Sequence, residues 1–135
     1  MSLFMYQYID IGLYNHAYDI ACLGVAESDW LALGTACLDN LELNIAYSAF
    51  ARIKKLRYIE IVSEVEEKLK SGEWGREACM ATAAAAMGKL RDAAKLYQKA
   101  GLQQYALDMY SDLRMFDIAQ EFIASGNTQV RLSIF

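Results

Sequence analysis

Residues 8–21 read YIDIGLYNHAYDIA, and this stretch decides the fold because three later segments follow its pattern without gaps. The later segments are residues 110–119 (YSDLRMFDIA), residues 84–97 (AAAMGKLRDAAKLY) and, more weakly, residues 41–46 (LELNIA). Each has a helix end, a short turn and a large residue three positions before an alanine. The pairs are Tyr14 with Ala17, Leu43 with Ala46, Leu90 with Ala93 and Phe116 with Ala119. Residues three apart share a helix face, so we expect each alanine to admit a facing helix while the larger residue fills the gap beside it.

The spacing of these alanines predicts an irregular array. Positions 17, 46, 93 and 119 are separated by 29, 47 and 26 residues, scattered around the ~34 of tetratricopeptide repeats. The sequence therefore predicts an all-α fold, an irregular tetratricopeptide-like α-solenoid of antiparallel helical hairpins with about eight or nine helices. We expect the longest gap to contain a helix from about Leu56 to Lys70 and a turn from Ser71 to Gly75, which we predict to be the most exposed loop of the chain.

The composition agrees with helices throughout. Proline is absent, which favours long uninterrupted helices. The segment from Ala78 to Met87 is so rich in alanine that we expect neighbouring helices to enclose it. Glycine is typical of the left-handed residue that ends a helix, and we predict that role for Gly24, Gly72, Gly75, Gly101 and Gly126.

Charge and hydropathy exclude several classes of function. The formal net charge is −4, which gives no general attraction to phosphate backbones, so we expect no nucleic-acid partner. Although 56% of the residues are apolar, no apolar run approaches the roughly 18 residues of a membrane-spanning helix. We therefore expect a soluble protein without direct membrane insertion.

The residues that carry chemistry are too few and too scattered for an active site. His16 is the only histidine, and no cysteine lies at a metal-ligand spacing from it, so we predict a surface or inter-helix histidine and no metal. Cys22, Cys37 and Cys79 lie far apart in apolar helical stretches and are predicted to be reduced core thiols. There is no phosphate-binding glycine loop and no nucleophile elbow. We predict neither a cofactor nor enzyme activity.

The sequence offers two candidate partner-binding sites, a basic cluster and a tryptophan. Arg52, Lys54, Lys55 and Arg57 form the one basic cluster. Because we place them at the end of one helix, favourable interaction with the helix dipole is the simpler explanation, and a docking patch for an acidic partner is the alternative. Trp74 lies in the predicted exposed turn, and exposed tryptophan is a favoured anchor at protein interfaces.

Several stretches resemble the C-terminal helical-repeat region of the intraflagellar transport protein 122 family, whose members are subunits of intraflagellar transport complex A. The likeness covers nearly the whole chain and concerns core and turn residues rather than a catalytic motif. It is carried by residues 5–10 (MYQYID), 17–25 (AYDIACLGV), 29–30 (DW), 56–60 (LRYIE), 88–89 (GK), 93–97 (AAKLY) and 106–113 (ALDMYSDL).

The resemblance implies a scaffold. It implies other complex A subunits as partners, a role in retrograde ciliary transport and ciliary membrane-protein trafficking, and a location in the cytoplasm and the cilium, including axoneme and basal body. A vesicle-coat subunit of the coatomer type, which has a related architecture, is the alternative; binding to coat subunits would distinguish it.

The two ends of the chain suggest a longer array. Residues 3–6 (LFMY) begin within the repeat pattern, and residues 130–135 (VRLSIF) end it on apolar residues, whereas the terminal repeats of a solenoid carry a polar outer face. We expect residues 1–135 to form a single α-solenoid fragment, and we expect weak self-association through these uncapped ends.

Overall fold

The chain folds into a stack of short helices. A computed structural model describes residues 2–125, and within that range there are nine α-helices and no strand. This confirms the all-α helical repeat. The helices are α1 (Ser2–Asp10), α2 (Tyr14–Cys22), α3 (Glu27–Asp39), α4 (Leu43–Arg52), α5 (Leu56–Ser71), α6 (Arg76–Ala86), α7 (Leu90–Lys99), α8 (Gln103–Asp112) and α9 (Phe116–Ser125).

Four hairpins account for eight of these helices. They are α1–α2, α3–α4, α6–α7 and α8–α9, and each has the sequence pattern at its turn. The large residue of each pair is the first residue of the second helix, and the four alanines are buried. Helix α5 is the extra element between the second and third hairpins and packs against both α4 and α6. Its bounds agree with the helix predicted in the longest gap.

Six of the eight turns between the described helices have one construction. Each has three residues, and the middle residue is left-handed, with φ between 53° and 83°. In the first turn the N–H of Leu13 donates to the carbonyl of Tyr8 (2.9 Å), and the N–H of Gly12 donates to the carbonyl of Ile9 (3.0 Å). This pair of bonds satisfies helix-end carbonyls as in a Schellman motif. The same pair recurs at the other five turns; the six left-handed residues are Gly12, Leu41, Lys54, Gly88, Gly101 and Arg114.

Three of these left-handed residues are not glycine. Leu41, Lys54 and Arg114 have φ of 59°, 53° and 58°, a region that costs an L-residue roughly 1–2 kcal/mol. Residues in this region persist where the surrounding structure holds them, and here the two hydrogen bonds of each turn do so. The predicted left-handed conformation is confirmed for Gly24, Gly72 and Gly101. The prediction is wrong for Gly75, which precedes α6 in an extended conformation with φ of −74°. Gly126 and residues 130–135 lie outside the described residues.

The buried side chains form two apolar clusters that meet in α6. The first cluster joins α1 to α6, and the second joins α6 to α9. Cys79 and Ala83 of α6 belong to the first cluster, whereas Ala81 and Ala84 belong to the second. The alanine-rich segment is therefore buried between neighbouring helices, as predicted.

Helix α3 is joined to the third hairpin across α5. The Lys89 ammonium lies 2.6 Å from the Asp39 carboxylate at the end of α3, and the Arg76 guanidinium donates to the carbonyl of Asn40 (3.0 Å). Both cations bind at the C-terminal end of α3, where the dipole of that helix favours positive charge. Because the Lys89–Asp39 pair is partly exposed, its contribution to stability is at most about 1 kcal/mol. These contacts join the second hairpin directly to the third.

The thiols are only partly as predicted. Cys37 and Cys79 are buried, but Cys22 is exposed at the last position of α2. The prediction of three core thiols is wrong for Cys22, which follows the buried Ala21 but does not share its helix face. Burial, with a smaller contribution from Glu42, raises the pKa of Cys37 to about 12, and burial also raises the pKa of Cys79.

Two helices pack closely at a glycine that the sequence analysis did not single out. Gly34 lies in the middle of α3, and a Cβ built there would be 2.5 Å from an edge carbon of the Phe50 ring. Phe50, in α4, is fully buried and stacks on Tyr58 with ring centroids 4.8 Å apart. The ring cannot move away easily, so position 34 has no room for a side chain.

We predict that Gly34→Ala destabilises the chain by up to about 2 kcal/mol. Overpacking costs roughly 1–3 kcal/mol, which exceeds the roughly 1 kcal/mol that alanine gains over glycine in a helix. Urea unfolding followed by circular dichroism would measure the free energy of unfolding. The same substitution should cost less in a Phe50→Leu background, where the ring is absent. An equal loss in both backgrounds would contradict the clash.

We also predict that one thiol of the folded chain reacts rapidly with a maleimide at mildly alkaline pH. Cys22 is exposed, whereas the other two thiols are buried and stay protonated because their pKa values are raised. Mass spectrometry should show one label in the native chain and three after denaturation. The Cys22→Ser variant is the control and should show no rapid labelling; rapid labelling of that variant would place another thiol at the surface.

Candidate partner-binding surfaces

The basic cluster lies in the turn between α4 and α5 rather than at the end of one helix. Arg52 is the last residue of α4, Lys54 and Lys55 are in the turn, and Arg57 is in the first turn of α5. The placement assumed from the sequence is therefore wrong for three of the four residues. At the start of α5, the helix dipole disfavours the positive charge of Arg57, so the dipole does not explain the whole cluster.

The two arginines of this cluster are engaged inside the chain. The Arg52 guanidinium lies 4.8 Å from the ring centroid of Trp30 and 5.9 Å from that of Tyr18, and it donates to the sulfur of Cys22 (3.4 Å). Such cation–π contacts join α4 to the second and third helices. Arg57 pairs with Glu60 at 3.6 Å, both side chains being largely exposed.

All four basic residues of the cluster are exposed, and in the described part of the chain the two lysines differ from the arginines in their lack of an ion pair or ring contact. Lys54 and Lys55 are exposed, and within residues 2–125 neither has an ion pair. The left-handed conformation of Lys54 and the bond from the N–H of Lys55 to the carbonyl of Phe50 (3.1 Å) fix their backbone. We call Lys54 and Lys55 the lysine turn. It presents two adjacent positive charges on a rigid backbone.

Trp74 is half-buried. The other residues from Ser71 to Gly75 are exposed, but the Trp74 ring packs against both apolar clusters. It meets Tyr105 of α8 edge-on with ring centroids 5.3 Å apart, and the Lys68 ammonium lies 4.5 Å from its centroid. Because these contacts hold the indole in place, only part of it is available to a partner.

Other polar candidates are structural. His16 is exposed on α2 and stacks on Tyr8, with ring centroids 5.3 Å apart, so it lies at the surface between two helices, as predicted. Tyr6 donates to the Asp29 carboxylate (2.8 Å) and thereby joins α1 to α3; burial, followed by this bond, raises its pKa. Among the residues that the structure covers, no group of three His, Cys, Asp or Glu side chains could hold a metal ion.

None of the described helices is both long enough and apolar enough to cross a membrane.

Comparison with known proteins agrees with the resemblance noted in the sequence. Residues 1–133 match the family described as IFT122, TPR domain. Over 123 residues, which are 91% of the chain, it is 46% identical to the intraflagellar transport protein 122 homolog of Danio rerio. The homologs of Mus musculus and Homo sapiens are 45% and 44% identical over the same share. The chain spans about a tenth of the length of these curated relatives, 10% in each case.

Proposed function

Because the chain belongs to the family of intraflagellar transport protein 122, we propose that it acts as a protein-binding scaffold within intraflagellar transport complex A. The observation that carries this proposal is the family match over residues 1–133. The match is to an intraflagellar transport family and not to a vesicle-coat family, and this favours ciliary subunits as the partners. Stacked helical hairpins support a scaffold role, since they present extended surfaces built from successive repeats.

The proposed transport role, location and partners of the chain follow from the same family match. We propose that the chain is a segment of a longer repeat array, because it corresponds to about 10% of the length of its relatives. As part of complex A, that array would serve retrograde ciliary transport and the trafficking of ciliary membrane proteins. We place it in the cytoplasm and the cilium, including axoneme and basal body. Other complex A subunits are the proposed partners.

The lysine turn is the proposed docking patch for an acidic partner surface. Of the four basic residues singled out in the sequence, Arg52 and Arg57 have partners within the chain, which leaves Lys54 and Lys55 to meet a carboxylate from outside. Arg52 holds the end of α4 in place and so supports the turn. Charges of this kind at the rim of an interface mainly change the association rate and its salt dependence.

We predict that Lys54→Glu/Lys55→Glu weakens capture of complex A subunits about tenfold or more. The substitution changes the charge of the turn and replaces none of the residues that Arg52 contacts. The assay is a pull-down by the purified chain, with complex A subunits and coatomer subunits offered separately. Lys95→Glu/Lys99→Glu, which makes the same charge change on exposed positions of α7, is the control. Equal losses in both variants would refute a specific patch, and capture of coat subunits alone would refute the ciliary role.

Apolar side chains on α1 support the proposal of weak self-association. Leu3 and Phe4 are 67% and 57% exposed, and adjacent apolar residues on one exposed segment favour contact between copies. We predict that the mean mass measured by light scattering rises with concentration and that Leu3→Ser/Phe4→Ser reduces the rise. Leu23→Ser/Leu56→Ser, which removes two other exposed leucines, should not. A monomer at high concentration would contradict the proposal.

A further inference from the structure

A groove lies between the α5–α6 turn and the α7–α8 turn. Its cavity volume is about 440 Å³, and Trp74, Leu102 and Tyr105 form its apolar wall while Glu73 and Glu77 contribute carboxylates. The glycine at position 75 also lines it, and a Cβ built there would meet nothing within 4 Å. The groove is therefore open to a side chain from outside.

The aromatic wall is rigid and partly exposed. Trp74 meets Tyr105 edge-on, and Tyr105 in turn stacks on Tyr97 with ring centroids 5.9 Å apart. Tyr97 belongs to the second apolar cluster, so the row of three rings is anchored in the core. Tyr105 nevertheless remains 47% exposed. A preformed aromatic surface of this kind loses little conformational entropy on binding.

The two carboxylates are not neutralised by the residues around them. Across residues 2–125 neither Glu73 nor Glu77 forms a salt bridge. Of the nearby lysines of α5, Lys70 pairs with Glu66 at 2.7 Å. Lys68 lies over the Trp74 ring of the wall itself and, within the same residues, forms no ion pair with either carboxylate of the groove. The contact of Lys68 also shows that this indole accepts a cation. The site thus combines negative charge with an aromatic surface.

We infer that this groove binds an arginine-bearing segment of a partner protein. Guanidinium is planar, stacks on aromatic rings and donates to carboxylates in a fixed fork, and it is more weakly hydrated than an ammonium group. Arginine fits both features of the wall better than lysine, because only the planar guanidinium can stack on a ring while it donates a fixed pair of hydrogen bonds to a carboxylate. The inference rests on the proposed scaffold function and adds to it the chemistry of one partner: a basic segment here, in contrast to the acidic surface proposed at the lysine turn.

The test is a calorimetric titration of the purified chain with a capped Gly-Arg-Gly-Arg-Gly peptide. Matched peptides carry lysine or glutamate in place of arginine. We expect the arginine peptide to bind more tightly than the lysine peptide, the glutamate peptide not to bind, and affinity to fall as salt rises. Glu73→Gln/Glu77→Gln should weaken binding of the arginine peptide about tenfold or more.

The matched control is Glu64→Gln/Glu67→Gln, which removes the same charge from exposed positions of α5 outside the groove. Equal weakening in the two double variants would reduce the effect to general charge attraction and overturn the inference. So would unchanged binding by Glu73→Gln/Glu77→Gln, or no binding of the arginine peptide to the natural chain. The titration needs no ciliary subunit, so its failure leaves the scaffold function standing, whereas failure to capture complex A subunits would overturn that function alone.

Discussion

The rest of this structure depends on one backbone constraint. A left-handed residue after the end of a helix reverses the chain, so that the next helix packs against the one before it. Six three-residue turns repeat the same two backbone hydrogen bonds, so the chain reverses in the same way at turns whose residues differ. Small side chains then decide how closely the returning helix packs. Ala17, Ala46 and Ala93, each completely buried, occupy equivalent positions after three of these turns.

The repeat pattern and the alanine-rich helix could be predicted because each has a local cause: glycine at a turn, or a small residue on a helix face. Leu41, Lys54 and Arg114 could not, since nothing in those residue types signals a positive φ; only the packing of two helices imposes it. The contact of Gly34 with Phe50 was likewise missed, because it joins residues of different helices and has no periodic signature.

The candidate sites, like the fold, could be predicted only in part from the sequence. Their residue types could be read from the sequence, since a run of basic residues and a tryptophan in a turn are both visible there. Which of them face outward could not be, because that depends on partners distant in the chain. Arg52, although exposed, lies over aromatic rings of α2 and α3, and Trp74 meets a tyrosine from α8. Only the folded arrangement separates the lysine turn from the arginines beside it.

The way α6 divides its residues between the two apolar clusters determines how the chain loses structure. Cys79 and Ala83 face one cluster, Ala81 and Ala84 the other, and Trp74 touches both. Unfolding of α7 to α9 would expose the residues of α6 that belong to the second cluster. It would thereby also reduce the stability of the first cluster, which depends on the same helix. The two apolar clusters therefore unfold cooperatively, because both include residues of α6. We expect the slowest amide hydrogen exchange in α6.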